Sequence, residues 1–300
     1  MKLAIFGDGQ LGVVDPAAGT VTDASAAVPG HQTGDQFGAG WWVRMCRDFD
    51  RLRDDLRQAA ADGQPRSLDS CPLRAPVLCP SKIVAAAKNN AAHVAEMEQM
   101  RIAWGDGPPE DSDFDVFLKA PSSIIGPGAA VVLPAPAVAA GKEVHYEPEL
   151  AVVIGRQSRN LTVHNVSDAI LGYLVGLDMT VRGKGDRSRR KSYDTFTPLG
   201  PWLTTADEVA DPDALDIALS INGEPRQQAT TRDLLVTVAG VVAYCSQIMT
   251  LEPGDVILTG APAGVGPVHP GDRITTSISS LGEFSVDVVA PEPSPSGRPE

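Results

Sequence analysis

Two periodicities alternate along the 300-residue chain. In the first, apolar positions return every three or four residues. Through WWVRMCRDFDRLRDDLRQAAADG, Met45, Phe49, Leu52 and Leu56 share one face, charges lie between them, and Gly63 ends the run, which predicts a helix. The same period predicts helices from Ser81 towards Met100 and from Arg232 to Met249, the second with Thr230 and Thr231 as N-cap candidates. In the other pattern, short apolar or alternating runs are bounded by Gly, Pro and Asn. KLAIF, LGVVD, ELAVVIG, GYLVGLDMTV, LDIALSI, GDVILTG and EFSVDVVA accordingly read as strands.

The strands crowd into the part of the chain after Pro80. This predicts a small amino-terminal α+β domain over residues 1–72 and a β-rich domain over 80–290, an α+β class overall. The tail over 291–300, PEPSPSGRPE, lacks apolar residues to pack and is expected to be disordered. With 43% hydrophobic and 21% charged residues, the composition is that of a soluble globular protein with a substantial core.

Charge narrows the partners. A net charge of −13 opposes binding to phosphate backbones or anionic lipid, so nucleic acid and membrane are excluded as expected partners. Cys46, Cys71, Cys79 and Cys245 are too far apart for a zinc site and too few for a disulfide scaffold. Reduced thiols fit a cytoplasmic protein. The opening MKLAIFGDGQLG is interrupted by Gly and Asp too early for a signal peptide, and no apolar run reaches spanning length.

Within HYEPELAVVIG, extended backbone would put Glu147 and Glu149 on the same side and Pro148 opposite. Such a pair is either a solvated strand edge, which Pro148 suits, or part of a divalent-cation site. Asp178 ends the apolar stretch GYLVGL and needs a partner there. It either caps a turn or adds a third carboxylate, completing an oxygen-rich site for Mg²⁺ or Mn²⁺. In KNNAAHVAEM, His93 and Glu96 are three apart, on one face of a helix. They are either a surface pair or a general base with its orienting carboxylate. Arg182, Lys191 and Asp194 add charge to a loop. Gly260, Gly264 and Gly266 in PGDVILTGAPAGVG match neither the P-loop nor the dinucleotide spacing, which leaves a loop whose backbone could approach a small ligand.

Six ordered blocks, KNNAAHVAEM, FLKAPSSIIGPG, HYEPELAVVIG, GYLVGLDMTVR, KSYDTFTPLGPW and PGDVILTGAPAGVG, together resemble the fumarylacetoacetate hydrolase superfamily over roughly Pro80 to Val289. The resemblance implies a mixed β-roll catalytic domain with a small amino-terminal domain, assembled as a homodimer. It implies Mg²⁺ or Mn²⁺ on Glu147, Glu149 and Asp178, a catalytic pair His93 and Glu96, an active-site Lys191, and substrate contacts at Arg182, Thr259, Gly260 and Ala261. The implied substrate is a small anionic 2-oxo acid, and the first expected reaction is carbon–carbon hydrolysis of an acylpyruvate-like β-diketo acid. A decarboxylase or isomerase/tautomerase of a 2-oxo acid, oxaloacetate-like or an unsaturated 2-oxo diacid, or a catalytically weak ligand-binding relative, is the alternative. Three positions depart from the family pattern. Its Asn-Tyr is Asn89-Asn90, its TGTP is Thr259-Gly260-Ala261-Pro262, and its Arg-x-x-Gln is Arg182-Gly183-Lys184-Gly185. The basic segment GKGDRSRRKSY, in an acidic chain, is either a solvated loop or a lid that attracts an anion.

Overall fold

The computed structural model describes residues 1–31, 40–103 and 113–291; the tail assigned to disorder lies almost wholly outside them. At the centre is the strand Pro148–Ile154, buried at every position, between Ile170–Leu177 and Val256–Leu258. Its sequence is almost continuously apolar because both of its faces are covered. Alternate side chains enter different cores. Leu150, Val152 and Ile154 join one cluster, while Ala151 and Val153 join another.

The large sheet runs in the order Pro65–Ser67, Thr20–Asp23, Gln10–Asp15, Lys2–Phe6, Thr197–Thr205, Ile170–Leu177, Pro148–Ile154, Val256–Leu258, Ile83–Ala87, Asp115–Lys119. Ile124–Ile125 pairs alongside Thr197–Thr205. A second sheet orders Glu224–Thr230, Asp216–Ile221, Arg273–Ile278, Gly282–Val289 and Ala130–Val132. Here the strands alternate between buried and more exposed positions, as in a sheet packed on one face, and Ile217, Leu219, Ile274, Phe284 and Val286 enter the core shared with Leu150 and Val152. The fold is α+β and rich in strand.

The predicted strands form, but two helices change. Residues from Ser81 towards Met100 are not one helix. Ile83–Ala87 is a buried strand parallel to Val256–Leu258, and the helix starts at Ala91. Ala-rich IVAAA carries helical propensity, yet a central sheet position buries all five residues. The second helix is Val238–Ile248, capped by Thr237, whose hydroxyl accepts from Gly240 N at 3.1 Å; Thr230 caps only a short 3-10 turn before it.

Across the boundary expected after residue 72, the two stretches share a sheet. Lys2–Phe6 pairs directly with Thr197–Thr205 in the large sheet. The helix Gly40–Asp62 places Trp41, Trp42, Met45, Cys46, Phe49 and Leu56 in one cluster with Ile83, Ala151, Val153, Val256 and Leu258. Its apolar stripe covers one face of the central strands, while a smaller cluster of Ala4, Phe6, Val14, Val21 and Cys71 closes against Trp202.

Candidate active site

The centre of the sheet positions the carboxylates. Glu149 pairs with Gly176 and Pro148 with Leu177, so Asp178, one residue beyond its strand, comes opposite Glu147; Asp178 N donates to Glu147 O at 2.8 Å. Ligating oxygens of Glu147, Glu149 and Asp178 all lie within 4.8 Å of one another. The residues are 3%, 1% and 0% exposed, which rules out the solvated strand edge. Asp178 is not a simple turn cap either, because both of its oxygens face cations. Lys119 Nζ donates to Oδ1, and Lys191 Nζ donates to Oδ2 at 2.5 Å.

Glu147 receives Lys191 on Oε2 and stands 2.8 Å from Arg182 Nη2 through Oε1. His93 also faces it, with Nε2 3.8 Å from Oε1. His93 Nδ1 lies 3.1 Å from Glu96 Oε2. An ionised carboxylate only accepts, so Nδ1 carries the proton and Nε2 is left as the basic nitrogen facing the cluster. His93 lines the cleft with Glu96 bonded to it, so the pair is not a solvated helix face.

The glycine-rich stretch serves these carboxylates. Gly260 N donates to Glu149 Oε2 at 2.6 Å, and Gly264 N donates to Glu96 Oε1 at 3.0 Å. Both glycines have positive φ, +110° and +95°, and a Cβ on Gly260 would sit 2.8 Å from that of Asn89. Side-chain-free backbone is therefore required for the close approach, although its targets are protein carboxylates instead of a phosphate.

The model of the fumarylacetoacetate (FAA) hydrolase C-terminal family matches residues 82–289. This chain belongs to the fumarylacetoacetate hydrolase superfamily. It is 36% identical over 292 residues, 96% of this chain and 99% of the relative, to the maleylpyruvate hydrolase of Aquipseudomonas alcaligenes. A solved maleylpyruvate hydrolase from Sphingobium sp. SYK-6, in complex with manganese(II) ion and pyruvate, superposes with a TM-score of 0.84 at 40% identity, covering 97% of this chain and all (100%) of that one. The mitochondrial oxaloacetate tautomerase of Arabidopsis thaliana is 39% identical over 69% of this chain and 91% of its own. The chain is an enzyme of this superfamily.

The donor set of this superfamily member fits a hard divalent cation. Three buried carboxylates supply oxygen alone, the ligand preferred by Mg²⁺ and Mn²⁺. Burial, reinforced by Asp178, pushes the Glu149 carboxyl well above the usual carboxylate range, so its charged form calls for a further cation. Burial acts in the same direction on Glu147, but Lys191 and Arg182 outweigh it and hold that carboxyl well below the usual range. Lys191 resists its own burial because Asp178, Glu147 and Glu149 surround it, and its ammonium is stabilised. Burial dominates at Lys119, which loses its proton more readily than an ordinary lysine despite Asp178.

Of the four residues carried over as substrate contacts, Arg182 and Ala261 line the cleft. Thr259 turns its hydroxyl to Leu150 O at 3.0 Å, and Gly260 is engaged by Glu149, so these two positions build the site's wall. Asp194 does not line the cleft among the described residues. Lys119 escaped the sequence reading, although a lysine ending the apolar strand DVFLK was a usable signal, since a buried cation needs a partner. Asn89 and Asn90 also gain roles. Asn89 bridges Val236 and Thr259, donating to both carbonyls and accepting from Val236 N at 2.7 Å, while Asn90 Oδ1 caps the next helix by accepting from His93 N at 3.0 Å.

Proposed function

We propose that this enzyme hydrolyses a carbon–carbon bond in an acylpyruvate-like β-diketo acid, with maleylpyruvate the first substrate to test. The observation that carries the reading is the oriented base beside the carboxylate cluster. His93 Nε2 faces Glu147 while Nδ1 is held by Glu96, in a cleft that also exposes Glu149, Arg182 and Lys191. The near full-length similarity to maleylpyruvate hydrolases supports it.

Glu147, Glu149 and Asp178 would hold Mn²⁺ or Mg²⁺. The cation supplies Lewis-acid stabilisation of negative charge developing on substrate oxygens. His93 takes a proton from water, and the hydroxide adds to the ketone of the acyl half, the carbonyl not adjacent to the 2-oxo acid carboxylate. The bond from that carbon to the adjoining methylene then breaks, and its electron pair remains on the pyruvate fragment. Lys191 contributes positive charge where that fragment becomes anionic. Protonation of the methylene carbon completes pyruvate, and the other fragment leaves as a carboxylic acid. Glu96 is a positioning residue that keeps Nε2 basic and aimed.

The tautomerase similarity supports a second reading, proton transfer at the carbon next to the keto group of an oxaloacetate-like acid, which needs no water attack. The two separate in one assay. Protein loaded with Mn²⁺ or Mg²⁺ is given acylpyruvates, oxaloacetate and unsaturated 2-oxo diacids, and products are identified. Pyruvate with an equal amount of the partner acid supports hydrolysis, whereas tautomerisation or CO₂ release alone would replace it. A cytoplasmic homodimer belongs to the same reading, supported by the buried thiols of Cys46, Cys71 and Cys245 and by the superfamily's usual assembly. Among the described residues no helix is long and apolar enough to cross a membrane.

A further inference from the structure

The lining of the cleft carries Lys88, Arg182, Arg187, Arg190 and Lys191 against the carboxylates Glu98, Glu147 and Glu149, an excess of positive charge. Lys119 and Lys191 are matched by Asp178 and Glu147, and Arg182 Nη2 reaches Glu147. Beyond these, Arg187 and Arg190 from the short helix Arg187–Lys191 also line the cleft. Arg190 is tied to backbone alone, with Nε donating to Gly185 O at 3.1 Å and Nη1 to Val181 O at 2.9 Å. Arg187 has neither a hydrogen bond nor an ion pair among the described residues. Arg182 adds a buried Nε without a hydrogen-bond partner.

Gathering three guanidinium groups without three acids is costly. Burial first, then the charges of Arg182 and Arg187, make Arg190 give up its proton more readily than an ordinary arginine. Such repulsion is relieved by an anion, and a guanidinium's fork matches the two oxygens of a carboxylate. In the hydrolase reading, the 2-oxo acid end goes to the cation that Glu147, Glu149 and Asp178 would hold, beside Lys191. The remaining charge therefore answers to a second anionic group on the same molecule.

We propose that Arg187 and Arg190, backed by Arg182, form a subsite for a carboxylate at the far end of the substrate, so that the enzyme selects acylpyruvates whose acyl half is itself an acid. This rests on the hydrolase reading and narrows it from β-diketo acids in general to diacids. Arg190 also holds the loop through Gly185 and Val181, whereas Arg187 has no such task, so Arg187→Gln isolates the charge from the fold.

The test compares kcat/KM of the Mn²⁺-loaded parent and Arg187→Gln on maleylpyruvate, which carries the distal carboxylate, and on acetylpyruvate, which lacks it. The diacid should lose at least about thirtyfold, mostly through KM, as for removal of one partner of a desolvated charge pair, and acetylpyruvate should lose several times less. An equal loss on both substrates, or none on the diacid, overturns the subsite. Calorimetric titration with maleate, the acid half of maleylpyruvate, gives a readout without turnover and should show the variant binding at least about tenfold more weakly. A parent that hydrolyses no acylpyruvate yet binds maleate through Arg187 keeps the subsite and removes the hydrolase reading. A parent that hydrolyses acylpyruvates while Arg187→Gln shows no selective loss does the reverse, and one that neither turns over nor binds maleate overturns both.

Discussion

His93 and Glu149 occupy the same cleft but answer to different physics. His93 is hydrogen-bonded to a carboxylate that fixes its tautomer and lies 3.8 Å from another that belongs to the cluster. Its replacement by alanine should leave Mn²⁺ affinity nearly intact and lower acylpyruvate hydrolysis by at least about a hundredfold, the low end for a positioned general base. Steady-state kinetics beside metal titration checks this, and hydrolysis at the parental rate would shift the reading to the tautomerase. Glu149 is governed by burial and by Asp178, both of which favour its protonated form. A cation requires the carboxylate, so that proton must leave as metal enters. The sign follows. Mn²⁺ affinity should climb as pH rises towards the raised pKa of this carboxyl, and titrations in buffers of different ionisation enthalpy should detect proton release. Glu149→Gln should bind metal more weakly and release no proton from this position.

At the scale of elements, the helix carrying His93 is fixed at both ends of its first turn. Asn90 caps its start through His93 N, and the glycine loop holds Glu96 through Gly264 N. Asn90→Ala should destabilise the protein by about 1 kcal/mol, the usual cost of losing an N-cap. It should also lower kcat, because the cap and the base share one peptide. Chemical denaturation and kinetics measure the two effects separately, and lost stability with unchanged kcat would show that the cap does not position His93. The helix itself was misjudged from sequence at its start. IVAAAK continues a helical composition into Asn89 and Asn90, and pairing with Val256–Leu258 on one side and Asp115–Lys119 on the other explains why Ile83–Ala87 is extended.

For the molecule as a whole, the decisive feature is that residues before 72 close the core behind the central strands. Trp42 is fully buried among Leu258, Val153 and their neighbours' cluster. Trp42→Ala should cost about 3–5 kcal/mol, the range for deleting a large buried side chain. The loss should appear in a single unfolding transition followed by both circular dichroism and activity. Two transitions, with activity surviving the first, would instead make the amino-terminal segment an independent unit.

The alternating pattern of the chain was enough to place most strands and the helix through Met45 to Leu56, because those residues choose sides by burial alone. The order of chemical groups was also legible. Glu147 and Glu149 share a face whenever the backbone is extended, and His93 and Glu96 share one whenever it is helical. What local pattern could not supply was long-range pairing. Asp178 becomes a neighbour of Glu147 through the register of two strands, Lys119 reaches Asp178 across 59 residues, and Gly260 reaches Glu149 across 111. Nor could periodicity show whether the stripe on Gly40–Asp62 faces its own small core or that of the central sheet. An amphipathic helix states how much apolar surface it must bury, and only the tertiary structure decides against what.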